Sequence, residues 1–451
     1  MLLLFALALR ALAAWWLGPG PFGPDGAGAE AAVVLGGHPY PLHPALIQTL
    51  GDARLLSVLG GVLAAWSVGR MGELLGARAS GVLAACAPLL LLTSAMAGGD
   101  SAAAGAAGAG LALAWSGHPL VGGLLAASSI AIKPVALPIL PLVLLCGLFP
   151  GGPRFASLRA LAGLLGGSLP WLSTLDPLLH PRPHAGLLGS WWRSTQDLPP
   201  AWGSFLDLGH AALGALAGLP LWTGLHALLL LAILGLARTE HRKLPAIVLI
   251  FSLLALVAPA ALLGDQLRPR YLAAASLPLT AVAGLGLRSL WPLAMALLWP
   301  AAAFISQLAA LRAGEEGLPQ RPTLPWPAAM DTREAYRDAG VCGAGELREM
   351  AAKLAESLPQ GATVTVLRLR DGREGELRWP LLARRPDLQI ALIHAGNCPD
   401  GACVPSLEGP VVYAADTSRC ATEVLDPGEL PIAAELAERF GVWGGVYGLH
   451  N

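Results

Sequence analysis

Repeated apolar runs of roughly 16 to 28 residues, separated by short polar breaks, constrain this chain more than any other feature, because each approaches the length a bilayer core demands. A soluble globule has no place for so many of them. Hydrophobic types make up 55% of the 451 residues and charged types only 13%, about half the charged share of an ordinary soluble domain. The first apolar run, Met1 to Leu17, carries one charge, Arg10. It lacks a basic leader and a small-residue cleavage site, so it reads as a retained helix rather than a removed signal. Further spans fall at about 54–69, 79–97, 101–117, 120–132, 134–149, 159–175, 209–237, 244–263, 271–287 and 289–311. The expectation is a polytopic α-helical membrane protein of about 11 transmembrane helices.

Charge is spread unevenly: 30 of the 59 charged residues (29 basic, 30 acidic) follow Met330. The chain therefore divides into a membrane domain over 1–311, a Pro-rich linker over 312–330 and a water-exposed domain over 331–451. With a cytoplasmic N-terminus, the breaks holding Arg70, Arg78, Arg154, Arg159, Arg238, Arg242, Lys243 and Arg288 all fall inside, as the Lys/Arg bias requires. An odd number of spans then places the C-terminal domain outside. Its pattern alternates a helix (Glu346 to Leu358), strand-like runs (Ala362 to Leu369, Leu388 to His394, Val411 to Ala415) and a second helix (Ile432 to Phe440), which describes a small α/β domain. Cys342, Cys398, Cys403 and Cys420 form an even set suited to disulfides in an oxidising compartment, with three pairings open. A zinc site from Cys398, Cys403 and His394 is the competing reading, at a spacing foreign to zinc ribbons.

Ionisable residues at the edge of a bilayer carry the chemical information, since each costs about 2.5–3.5 kcal/mol at midplane. The topology collects Asp25, Glu30, Asp100, Lys133, Arg268, Arg270 and Tyr271 on the outer face. Lys133 interrupts an apolar stretch just before Pro134, either as a lysine snorkelling from a helix end or as a fixed cation for an anionic headgroup or phosphate. Asp100 opens a small-residue run and reads equally as a helix N-cap. Arg268-Pro269-Arg270-Tyr271 also suits an interfacial anchor. The first outer loop adds His38, Tyr40 and His43. A later one contributes Trp191 and Trp192, either a sugar-stacking pair or part of the aromatic belt. Nucleotide-loop, zinc-protease and serine-hydrolase motifs are missing, and a net charge of −1 gives no footprint for nucleic acid.

In that order these motifs resemble the GT-C superfamily of membrane glycosyltransferases that use polyprenyl-phosphate-linked sugars, including protein O-mannosyltransferases and aminoarabinose transferases. The resemblance spans roughly residues 1–311. It rests on the aspartate after the first helix with its Gly-Gly…Tyr…His-Pro stretch (Asp25 to Pro44), the aspartate opening a small-residue helix (Asp100), Lys133-Pro134 with Leu137-Pro138, and Arg270-Tyr271-Leu272 with Leu277-Pro278. It implies inverting sugar transfer to a lipid, glycan or protein acceptor. Asp25 would act as general base, helped by Glu30, with Asp100 as a second acidic position that orients acceptor or contacts a divalent cation. Lys133, Arg268, Arg270 and Tyr271 would hold the donor phosphate, and His38, Tyr40, His43, Trp191 and Trp192 would shape the acceptor side. Gly26 departs from the acidic pair that many members carry. An Ala/Arg/Leu-rich composition fits a GC-rich bacterial genome, hence an inner membrane with the active face and C-terminal domain in the periplasm. A transporter with an intramembrane charge path, and an inactive relative that binds lipid-linked glycan, are the alternatives.

Overall fold

The computed structural model describes residues 1–16, 33, 40–96, 98–150, 152–169, 223–263, 269–287, 344–368, 380–394 and 411–414. Two compact units emerge, one from the described residues of Met1–Gly18 and Pro39–Ser306, the other from those of Pro19–His38 and Gln307–Asn451.

In the first unit α1 (Leu2–Trp16) is followed by α2 (Leu42–Leu50), α3 (Ala53–Leu74), the half-helices α4 (Ser80–Cys86) and α5 (Pro88–Ala95), α6 (Gly99–Trp115), α7 (Pro119–Ser128), α8 (Leu140–Val143), α9 (Ala156–Gly167), α10 (Leu225–Arg238), α11 (Lys243–Leu263) and α12 (Ser276–Ala283). Its interior is small and its exterior large, the reverse of a soluble domain. Ala64, Ala65, Ala103, Ala107, Ala127 and Ala160 are buried, whereas Leu4, Trp15, Phe155, Leu158, Leu165, Leu230, Ile250 and Leu254 are exposed. Large apolar side chains facing outward suit lipid, and small ones inside let helix backbones approach closely. A methyl group at Gly105 would lie 2.2 Å from the Gly60 carbonyl oxygen, and one at Gly163 would lie 2.2 Å from that of Leu120. The α3–α6 and α7–α9 crossings are therefore backbone-to-backbone contacts.

Most of the expected spans are helical, but they are shorter and more broken than the apolar runs suggest. Among the described residues one helix, α3, with 22 residues, is long and apolar enough to cross a bilayer by itself. Proline explains the interruptions. Pro88 splits the expected span 79–97 into α4 and α5, with Ala87 extended between them at φ −61°, ψ 123°. Over 134–149 the chain forms a 3₁₀ segment (Pro134–Ile139), a single α turn and another 3₁₀ segment (Leu144–Leu148).

The break at Pro88 explains Arg10. Residue 88 of an unbroken helix would donate its N–H to the Ala84 carbonyl, and proline has none. The fully buried Arg10 donates instead, from Nη2 to Ala84 O (3.4 Å) and from Nη1 to Ala85 O (3.3 Å) and to Ala6 O (3.3 Å). In the same way Arg54 Nη1 donates to Ala14 O near the end of α1 (3.1 Å).

The second unit holds a helix, α13 (Ala344–Ser357), and three parallel strands, β1 (Thr363–Arg368), β2 (Gln389–His394) and β3 (Val411–Ala414), in the order β2-β1-β3. Val364 of β1 packs with Ala351, Leu354, Leu358, Leu381 and Leu388. Arg385 ties the end of α13 to the strand loop. It donates to the carbonyls of Ala355, Leu358 and Pro359 (2.9 Å each) and pairs with Asp387 at 2.8 Å, while Asp387 accepts from the Gly361 N–H at 2.8 Å. The helix and the three strands expected at 346–369, 388–394 and 411–415 are found within a few residues of those bounds. The expected helix over 432–440 and the four tail cysteines lie outside the described residues.

Candidate active site

Pro134 sets the geometry at Lys133. A residue before proline is driven out of the helical region, and Lys133 is extended at φ −166°, ψ 141°. The helical path of residues 119–132 ends there, and the lysine sits between two short helical pieces. It does not snorkel. Lys133 is 5% exposed, and its Nζ lies 2.9 Å from Asp100 Oδ2. Its burial rules out a lysine snorkelling from a helix end, since a headgroup-seeking side chain stays exposed.

Asp100 likewise is not the N-cap. The cap of α6 is Gly98, without a side-chain hydrogen bond, and Asp100 stands in the first turn with its carboxylate directed to Lys133. Two serines fix that end of α6 against α3. Ser57 Oγ donates to the Gly98 carbonyl and Ser101 Oγ to the Ser57 carbonyl, both at 2.8 Å. Neither serine stood out in the sequence; the position of Ser101 next to Asp100 and the place of both on apolar helices were the available signals. Each side chain of the ion pair is at most 6% exposed. Asp100 Oδ1 is buried and accepts no hydrogen bond from the described residues.

Two more predicted residues join the pair. The Tyr271 ring lies with its centroid 6.0 Å from Lys133 Nζ and 5.4 Å from Arg270 Cζ, so both cations flank its face at cation–π range. Tyr271 and Arg270 belong to a 3₁₀ turn (Pro269–Leu272) that leads into α12, and both are half-buried. His43, expected in a loop, instead lies in the first turn of α2 and is buried. Pro44 is compatible with that turn, since a first-turn N–H has no intrahelical acceptor. The His43 ring is adjacent to the pair through Gly99. A methyl group there would lie 3.2 Å from His43 Cε1 and Nδ1 and 3.3 Å from the carbonyl oxygen of Ile132, the residue before Lys133. Gly99 therefore has almost no room for a side chain.

Asp100, Lys133, Arg270, Tyr271 and His43, drawn from four separate parts of the chain, thus form one neighbourhood. Tyr40 is described as half-buried just before α2. Asp25, Glu30, His38, Trp191, Trp192 and Arg268 lie outside the described residues, so their relation to the cluster comes only from sequence. Among the described residues no group of three or more His, Cys, Asp or Glu side chains gathers that would hold a metal ion.

The bundle, with short apolar helices and large apolar side chains outward, has the architecture of a polytopic helical membrane fold. No family model matches the chain, and no curated protein matches it. Solved structures do. The crystal structure of ArnT from Cupriavidus metallidurans bound to undecaprenyl phosphate superposes with a TM-score of 0.53 at 18% identity, covering 86% of this chain and 85% of that one. The apo-state structure of the same protein gives 0.50 at 16% identity, covering 97% and 88%. Likeness at these identities is a likeness of fold.

Proposed function

We propose that this protein transfers a sugar from a polyprenyl-phosphate-linked donor to a lipid, glycan or protein acceptor at the outer face of a bacterial inner membrane. One observation carries the reading. Lys133, Arg270 and Tyr271 converge beside a buried carboxylate, within a fold shared with a structure that holds undecaprenyl phosphate. A charge-dense anion at a membrane edge needs desolvated, fixed cations, and a buried lysine with an arginine nearby supplies them.

In this reading Lys133 and Arg270 bind the phosphate that links lipid to sugar, and Tyr271 donates a hydrogen bond beside them. Arg268 adds a further cation. As the glycosidic bond breaks, negative charge grows on the departing lipid phosphate. Cations already in place lower the barrier because they need no reorganisation at that moment. Asp25, aided by Glu30, takes the proton of the acceptor hydroxyl as it attacks the anomeric carbon from the opposite side, which inverts the configuration. His38, Tyr40, His43, Trp191 and Trp192 line the acceptor approach. The C-terminal α/β domain lies in the periplasm, where disulfides among Cys342, Cys398, Cys403 and Cys420 would persist.

The test is binding of short-chain polyprenyl phosphate to purified protein in nanodiscs, followed by thermal shift. Wild type should be stabilised in a saturable way. Lys133→Ala and Arg270→Ala should each weaken binding by about 1.5–3 kcal/mol, the loss of one charge-assisted contact. Unchanged affinity in both variants would remove the assignment.

A further inference from the structure

The ion pair that marks the site also occupies it. Lys133 Nζ is 2.9 Å from Asp100 Oδ2, with both side chains withdrawn from solvent. If Lys133 receives the donor phosphate, as proposed above, two anions compete for one ammonium in a place where water screens neither of them. Like charges held together at a desolvated site repel strongly.

The geometry points to Asp100 as a resident counter-ion, which holds Lys133 in the unliganded protein and yields it to the donor phosphate. The inference rests on the lipid-phosphate reading of the site and makes Asp100 a positioning residue for Lys133. Two features suit it to an exchange. Its carboxylate is committed on one side only, since Oδ1 is buried and takes no hydrogen bond from the described residues. It also makes no capping bond to the start of α6, so leaving Lys133 breaks no helix-end contact. The backbone beneath is fixed, by the Ser57 and Ser101 hydrogen bonds on one side and by Pro134 on the other. Exchange then proceeds by side-chain rotation on that fixed backbone. No covalent bond changes: the ammonium trades one oxyanion for another, and the carboxylate is released with its charge.

A counter-ion that competes with ligand gives a prediction opposite in sign to that of a residue contacting the donor or supporting the fold. Neutralising Asp100 should tighten binding. Titration of full-length protein in nanodiscs with short-chain polyprenyl phosphate, read by thermal shift, should show Asp100→Asn and Asp100→Ser binding about tenfold more tightly than wild type or better, as expected when one competing charge-assisted contact is lost. Asp100→Glu should restore wild-type affinity. In a Lys133→Met background, Asp100→Asn should bring no gain. Wild type that binds while both neutral variants bind equally or more weakly would overturn the proposal and leave the lipid-phosphate site standing. Failure of wild type and every variant to bind would overturn the site reading, and this proposal with it. Wild-type protein alone provides a second readout should the neutral variants fail to fold. With ¹³C-labelled aspartate, saturation with the lipid phosphate should shift a carboxylate infrared band that Asp100→Glu moves out of the aspartate set. A spectrum unchanged at saturation would refute the exchange.

Discussion

Changing Lys133 to Met keeps the length of the side chain and removes its charge, and should be among the most damaging single substitutions in the membrane unit. The reason is what it leaves behind. Asp100 is 2% exposed, its Oδ2 bonds Lys133 at 2.9 Å, and its Oδ1 has no hydrogen bond from the described residues to share the load. Removing one member of a buried pair costs about 3–5 kcal/mol, because the other charge stays in low dielectric without compensation. Combining Lys133→Met with Asp100→Asn removes the charge altogether and should cost less than the sum of the single changes by about 2–4 kcal/mol. A double-mutant cycle by reversible unfolding in mixed detergent and SDS micelles, followed by far-UV circular dichroism, measures that coupling. Additivity within about 0.5 kcal/mol would refute the argument, since groups that do not interact add.

Further expectations concern the scaffold. Arg10→Met should destabilise the membrane unit by about 2–5 kcal/mol, because two carbonyls at the Pro88 break lose their donors; Arg10→Lys should recover only part of this, since an ammonium is not a fork. The same SDS titration reads both. Gly105→Ala should cost about 1–3 kcal/mol, because its methyl would lie 2.2 Å from the Gly60 backbone oxygen, where no flexible side chain can yield. Asp387 has its carboxyl held well below the usual carboxylate range, first by the Arg385 guanidinium and then by the Gly361 N–H. Its folded value is lower than its unfolded one, so its contribution is complete at neutral pH and is lost as pH falls below about 4. Amide protection of β1 and β2 in the full-length protein, corrected for intrinsic exchange rates, should decline with acid in wild type and do so less steeply in Asp387→Asn.

Much of this was legible in the sequence, for reasons that differ by region. Lys133, Asp100, Arg270 and Tyr271 stood out because ionisable groups are rare at a bilayer edge, and the Lys/Arg bias alone placed them on one face. Their pairing was not legible. Thirty-three positions separate Asp100 from Lys133, and only the packing of α6 against α7 and the 3₁₀ segment Pro134–Ile139 brings the two together. Arg10 showed as a single charge in the first apolar run, but its role depends on Pro88, a residue on another helix. His43 sat in a Gly- and Pro-rich stretch that reads as loop, yet Pro44 falls in the first turn of a helix, where it breaks no hydrogen bond. Apolar length overstated helix length wherever proline cuts a run, as at Pro88 and over 134–149. The second unit was easier to read, since a parallel strand such as Thr363–Arg368, flanked by turn residues and by an amphipathic helix, carries its pattern locally.

In the proposed function the donor phosphate sits at the Asp100–Lys133–Arg270–Tyr271 neighbourhood. The most direct measurement is photoaffinity labelling in nanodiscs with a short-chain polyprenyl phosphate bearing a diazirine next to the phosphate, followed by peptide mapping. Label is expected on the segments 98–103, 130–136 and 269–273, abolished by excess unlabelled polyprenyl phosphate and reduced in Lys133→Ala. Label confined to other segments, or label on these that excess ligand does not compete away, would contradict it.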